Sequence, residues 1–325
     1  MRPVRGQSCL FAYTVLTMAT KRTGKGSAHR FGGNWTDQKL DVIGEYLRSY
    51  TTALKDKPTR EKPFRKAFID AFAGTGYRSP SAESPDQQTQ ERLFPDLAAL
   101  EPQALLDGSA RIALSINPVF DKYIFVERSA ARCEQLEQLK VEFPKLAPSI
   151  DIRHGDANQE IQMMADKDWS THRAVLFLDP YGMQVEWKTI QAVASTQAID
   201  LWLLFPLGIG VNRLLTKSGK MPDSWRRRLS LLLGTEDWYE EFYKIESSPN
   251  LFGTDQEVVV KASMETIGRY FVQRLEGVFA GVVREPGILR NSSNNPLYLL
   301  CFAVGNLRGK DIALRIAGHL LKGLR

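Results

Sequence analysis

Residues 66–76 read Lys66-Ala67-Phe68-Ile69-Asp70-Ala71-Phe72-Ala73-Gly74-Thr75-Gly76. The run from Ala67 to Phe72 is apolar apart from one carboxylate, and it does not alternate. A short strand covered on both faces carries this pattern, which marks the centre of a parallel sheet. Gly74 and Gly76 then allow a turn of positive φ and let a ligand come close to the backbone. Asp70 at the strand end, beside that turn, stands where open α/β sheets bind their ligands.

Four more strands are predicted downstream, each followed by a helical stretch. They run from Lys122 to Glu127, Ser149 to Arg153, Arg173 to Asp179 and Ile199 to Phe205, the last ending at Pro206. The helices between them are predicted at Ser129–Glu142, from Asn158 to about Lys167, and at Trp187–Thr196. Before the first strand, Thr36 is expected to cap a helix with Leu40, Ile43, Leu47, Tyr50 and Leu54 on its apolar face. Gly108-Ser109 is expected to open another through Asn117, with Ser109 as the cap. Two last strands, near Ala280–Leu289 and Leu297–Val304, flank Asn-Ser-Ser-Asn-Asn-Pro and read as a hairpin. A helix from Asp311 to Lys322 closes the chain. The fold expected is a doubly wound, mostly parallel α/β sheet with a terminal antiparallel hairpin.

Two insertions interrupt this frame. Residues 77–107 are rich in Ser, Pro, Gln and Glu and read as a loop on the ligand side of the sheet. Residues 208–277 read as a helical insertion, and Glu257–Val278 as one amphipathic helix bearing Val259, Ser263, Ile267, Tyr270, Phe271, Leu275 and Val278. The α/β domain is expected over residues 34–325.

The formal charge of +6 among 325 residues resolves by position. Residues 1–30 hold Arg2, Arg5, Lys21, Arg22, Lys25 and Arg30 and no acid. Removing these six from 43 basic residues leaves 37, equal to the 37 acidic ones. The excess belongs to residues 1–33, expected to be a disordered basic tail, with translation starting at Met18. Cys9–Ala19 is apolar but too short to span a bilayer, and no small-x-small cleavage pattern follows it. A neutral body gives little electrostatic reason for nucleic acid to bind it. Cys9, Cys133 and Cys301 form no pair or cluster, which speaks against zinc, iron–sulfur or a disulfide framework and fits a reducing cytoplasm. No membrane span is expected.

Four consecutive strand ends thus present a polar group to one crevice: Asp70 with the glycine turn, Glu127, Gly155-Asp156, and Asp179-Pro180-Tyr181-Gly182. An acid in the position of Glu127 suits both hydroxyls of a ribose. Asp156 suits an adenine amino group, and Asp179 to Tyr181 would face the reacting group. His154 lies near the crevice, but its reading is structural.

The blocks F-I-D-A-F-A-G-T-G, V-E-R, H-G-D-A-N and L-D-P-Y-G, in this order, resemble the class I S-adenosylmethionine-dependent methyltransferases. With W-T-D-Q-K-L at Trp35–Leu40 and G-S-A-R-I-A-L at Gly108–Leu114, the chain is more closely similar to the three-Cys-motif partner proteins of bacteria. The resemblance runs from Trp35 to the end. It implies S-adenosylmethionine as cofactor, held by Asp70, Ala73, Gly74, Gly76, Glu127 and Asp156, with Asp179, Pro180 and Tyr181 on the acceptor side. It also implies a partner protein with a three-cysteine motif, encoded nearby. Amino-methyltransferases of DNA carry Asp/Asn-Pro-Pro-Tyr/Phe at the matching place; here there is one proline, and Tyr181 comes one position early. A non-catalytic nucleoside-binding scaffold stays open beside the enzyme. A nicotinamide enzyme ranks third, because Gly74-Thr75-Gly76-Tyr77-Arg78-Ser79 lacks the third small residue of that fingerprint.

Overall fold

In the computed structural model, the residues described are 34–56, 59, 64–73, 108–180, 182–249 and 255–324. Gly74, Gly76, Tyr181, the basic tail and the insertion at 77–107 lie outside them, and so do the expectations placed there.

One mixed sheet organises the chain. Its parallel strands are β1 (Arg65–Asp70), β2 (Lys122–Glu127), β3 (Ile150–His154), β4 (His172–Leu178) and β5 (Ile199–Phe205). After the insertion come β8 (Gly281–Val282), β9 (Gly287–Arg290) and β10 (Pro296–Val304). The order across the sheet is β3-β2-β1-β4-β5-β10-β8, with β9 also paired to β10. The doubly wound, mostly parallel sheet read from the sequence is therefore present, and so is its antiparallel hairpin, β9–β10. The 280–289 stretch forms two short strands rather than one, since Glu285-Pro286 interrupts it and proline supplies no ladder donor. Strand β10 runs antiparallel to both β5 and β8 and lies between them.

The register explains why the crevice forms where it does. Asp70 stands opposite Phe125 on one side and Phe177 on the other. Beyond it the chain turns across the strand ends: Ala71 N donates to the Phe177 carbonyl at 3.2 Å, and Ala73 N to the Val126 carbonyl at 3.1 Å. The turn after β1 is thereby tied to β4 and β2 in succession. The reversal of strand order between β1 and β4 leaves room beyond their carboxyl ends, the usual ligand crevice of such sheets.

Helices cover the sheet. Helix α1 (Asn34–Ala53) packs on α2 (Ser109–Leu114) and on the last helix, α9 (Lys310–Leu321). Helix α3 (Ala130–Glu142) packs on β3, and α4 (Ala157–Ala165) packs on α5 (Trp187–Ser195). Helix α1 starts at Asn34, so Thr36 lies inside the helix and is buried instead of capping it. Helix α2 ends at Leu114, short of Asn117.

The largest departure falls in the insertion. Residues 223–233 and 238–242 form helices α6 and α7, as expected of a helical segment. Then β6 (Tyr243–Pro249) pairs antiparallel with β7 (Asp255–Lys261), placing Ile245 against Val259. The single helix expected over Glu257–Val278 is thus a strand followed by helix α8, Met264–Glu276. The Val258-Val259-Val260 run is the reason, because three β-branched side chains favour a strand. Ser263, expected on the apolar stripe, is instead the helix cap, accepting from Thr266 N at 3.1 Å.

Candidate active site

At the carboxyl ends of β1 and β4 four side chains meet. Asp70 is 1% exposed. Its Oδ2 accepts from Ser109 Oγ at 2.5 Å, and its Oδ1 from Phe72 N at 3.1 Å. Ser109 therefore does not cap α2; Gly108 holds the cap position, and the hydroxyl turns to the strand end. Asp179 lies just past Leu178, and its Oδ2 accepts from Lys39 Nζ at 2.5 Å. Lys39 is fully enclosed, while the Asp179 side chain keeps 13% of its surface open. The Trp35 ring lies 5.1 Å from the ammonium.

Burial dominates the electrostatics. It pushes the Asp70 carboxyl up to about 7; the bonds from Ser109 and Phe72 pull the other way, the Asp179 charge adds to the rise and Lys39 opposes it. The group is then an acid poised at neutrality beside a fixed ion pair. That is an arrangement met more often at functional sites than elsewhere.

On the β2–β3 side, Glu127 is buried, and its Oε1 accepts from Ser129 N at 2.7 Å with Arg132 Nη1 3.7 Å away. A ribose contact through both carboxylate oxygens would share an oxygen already held. Gly155 N donates to the Glu127 carbonyl at 3.0 Å, which joins the ends of β2 and β3. Asp156 caps α4, accepting from Gln159 N at 3.2 Å through Oδ1. His154 Nε2 is 2.9 Å from the Arg128 carbonyl, a structural partner as expected.

Asn158, quoted in the sequence only as part of a motif, has a definite task. Its Oδ1 accepts from Glu186 N at 3.0 Å and from Thr189 Oγ1 at 2.8 Å, and its Nδ2 donates to the Gln184 carbonyl at 2.9 Å. Three bonds from one amide fasten the segment after Asp179-Pro180 to the helix that Asp156 caps.

The structure thus brings Asp70, Ser109, Lys39 and Asp179 together, with Ala73, Glu127 and Asp156 along the adjoining strand ends. Sequence reasoning missed Lys39 and Ser109. Lys39 carried a signal: Trp35, Lys39, Ile43 and Tyr46 recur at helical spacing, and all four are buried, so a charge sat in the buried stripe. Among the described residues no group of three potential metal ligands occurs, and no helix is long and apolar enough to cross a membrane.

No family model and no curated protein matches the sequence. Solved structures do. Protein LPL1258 from Legionella pneumophila matches at 10% identity and a TM-score of 0.39, over 90% of this chain and 93% of its own. The spermidine synthase from Thermotoga maritima matches at 10% identity and a TM-score of 0.37, over 85% of this chain and 61% of its own. A dimethyladenosine transferase from Plasmodium falciparum matches at 12% identity and a TM-score of 0.27, over 77% and 70%. At such scores the likeness adds nothing to what strand order and register already state. The protein has a doubly wound, mostly parallel α/β fold, with the Asp70–Ser109 and Lys39–Asp179 pairs at the ends of β1 and β4.

Proposed function

We propose that the chain is an S-adenosylmethionine-dependent methyltransferase whose acceptor is an amine. The observation that carries this reading is the buried group Asp70–Lys39–Asp179 across two neighbouring strand ends. The residues present fit such a cofactor. Asp70 supplies a buried carboxylate for a cationic ligand, and Ala73 closes the turn beside it. Glu127 and Asp156 stand one and two strands further along, where a nucleoside would extend. When bound, the cofactor supplies an electrophilic methyl group on a cationic sulfur.

The protein's own work is then mainly orientation. Asp179 and the Pro180 carbonyl accept N–H bonds from the incoming amine, and Asn158 keeps the following segment in place. From the sequence resemblance we further propose that the enzyme acts with, or on, a protein carrying a three-cysteine motif or on nucleic acid.

Calorimetry with S-adenosylmethionine, S-adenosylhomocysteine and NAD tests the reading. Micromolar binding of the first two and none of NAD is expected; failure of both sulfur nucleosides to bind would sink it. A protein that binds them yet transfers no methyl to DNA, RNA or the neighbouring gene product is a scaffold.

A further inference from the structure

We propose that Lys39 is the positioning residue of the transfer step, and that it adapts the site to a neutral, conjugated NH₂ such as nucleobases carry. The proposal rests on the methyltransferase reading above.

Lys39 reaches the site from α1, 140 positions away in the chain, and its only hydrogen-bond partner among the described residues is Asp179 Oδ2. The Trp35 ring lies 5.1 Å from the ammonium, and the Lys39 side chain is fully enclosed. Buried pairs of this kind contribute little to stability over an apolar isostere, so stability is a weak reason for one. What the pair does achieve is geometric. With Oδ2 taken, the Asp179 carboxylate cannot rotate freely, and Oδ1 is the oxygen left over. Among the described residues no hydrogen bond ends on Oδ1 or on the Pro180 carbonyl. The acceptor side therefore offers two hydrogen-bond acceptors, Asp179 Oδ1 and the Pro180 carbonyl, which fits the two N–H bonds of an amino group.

Charge narrows the class. Lys39 and Asp179 together are neutral, so the pair accepts N–H bonds without attracting a cation. An alkylammonium would enter charged and would have to lose a proton before it could attack. A conjugated amine enters neutral, with both hydrogens available to Asp179 Oδ1 and the Pro180 carbonyl. In the transfer, a nitrogen–carbon bond forms and the carbon–sulfur bond breaks, its electron pair remaining on sulfur. The surplus nitrogen proton passes to Asp179 Oδ1 and leaves through that residue's open edge, while Lys39 keeps its charge throughout.

The test uses the full chain, its Lys39→Met and Lys39→Arg variants, Asp179→Asn and the Lys39→Met/Asp179→Asn double variant, each checked for folding by thermal melting. With S-adenosylhomocysteine present, wild type should bind adenosine at least tenfold more tightly than purine riboside, which lacks the amino group. Lys39→Met should lose that preference, and Lys39→Arg should keep part of it. S-Adenosylmethionine should still bind both variants. With tritiated cofactor and total RNA or sheared DNA, Lys39→Met should lower the turnover at least a hundredfold, and the double variant should be no slower than the worse single one. An unchanged adenosine preference in Lys39→Met, turnover within threefold of wild type, or label on protein lysines alone would overturn the proposal while leaving a methyltransferase. No cofactor binding by wild type would overturn the methyltransferase reading, and this one with it.

Discussion

Ser109 Oγ donates to Asp70 Oδ2 at 2.5 Å, joining the first residue of α2 to the last residue of β1 across the insertion between them. The bond gives a buried carboxylate one of its two donors among the described residues. It therefore favours the ionised form against a burial that disfavours it.

Removing that donor should be felt at the cofactor. Ser109→Ala leaves Asp70 with the Phe72 N–H as its donor among the described residues, so its proton should leave at higher pH than in wild type. A cationic ligand prefers the ionised carboxylate, so affinity for S-adenosylmethionine should rise with pH through about 7, by about tenfold between pH 6 and 8. In Ser109→Ala the same rise should begin later, so that binding near pH 7 is weaker. Calorimetry at several pH values checks this, and a profile identical to wild type would contradict it.

Asp70 should also make stability depend on pH. Its folded value of about 7 lies above the ordinary carboxyl value of 3.8. The native state therefore holds the proton more tightly than the unfolded chain does. Its contribution is fully present below pH 4 and is lost as pH rises to about 7, at a cost on the order of 4 kcal/mol as an upper limit. Asp70→Asn removes the charge while keeping an acceptor. Its advantage over wild type in denaturant melts should grow from pH 5 to pH 8.

Asp200 has a comparable problem and a different solution. It is buried in β5, where Tyr46 donates to Oδ2 at 2.9 Å and Gly305 N to Oδ1 at 3.2 Å, and burial pushes its carboxyl up to about 6. Tyr46→Phe deletes a bond that favours the ionised form and should cost roughly 1–3 kcal/mol. The deficit should be larger at pH 8 than at pH 5, because only the ionised carboxylate loses a charge-assisted bond. Urea unfolding at the two pH values measures it.

Gly234 should tolerate no side chain. It ends α6 at φ +72°, and a Cβ there would lie 2.0 Å from the Trp187 ring. The same ring faces the Arg274 guanidinium at 4.5 Å, and Arg274 Nε donates to the Leu233 carbonyl at 3.2 Å. Gly234→Ala must strain the backbone and displace Trp187, at roughly 3 kcal/mol or more. A drop in melting temperature of several degrees is expected; an unchanged one would show that Trp187 moves aside freely.

Asn158→Ala should loosen the segment after Asp179-Pro180. Backbone amides at 184–186 should exchange hydrogen faster, while those of β4 and β5 stay protected. Equal loss of protection in the strands would mean that the bonds from Asn158 support the whole fold.

The sheet was legible because buried parallel strands announce themselves as apolar runs, and five of them alternate with helices in this chain. Their ends were legible too, because a carboxylate after such a run has few reasons to be there. Reading failed where two periodicities overlapped. Residues 257–278 carry apolar side chains at helical spacing, but the Val258–Val260 run pairs with a strand that no local pattern announced. Pairing is a non-local choice, decided by Ile245 and its neighbours. Ser109 failed for a related reason: the cap position and the strand end compete for one hydroxyl, and only their distance in space settles which obtains it.

By itself the sequence determined which segments form the five parallel strands, and that Asp70, Glu127, Asp156 and Asp179 fall at or just past their carboxyl ends. Local pattern suffices there, since burial on both faces and a polar strand end are properties of short segments. Only the tertiary structure decided what those acids touch. Lys39 reads along the chain as a charge at an apolar-stripe position of α1, with no partner named by any local pattern. Packing α1 against the sheet encloses it completely, and an enclosed ammonium must find a carboxylate. The one it finds is Asp179, which no spacing across a separation of 140 positions could have indicated.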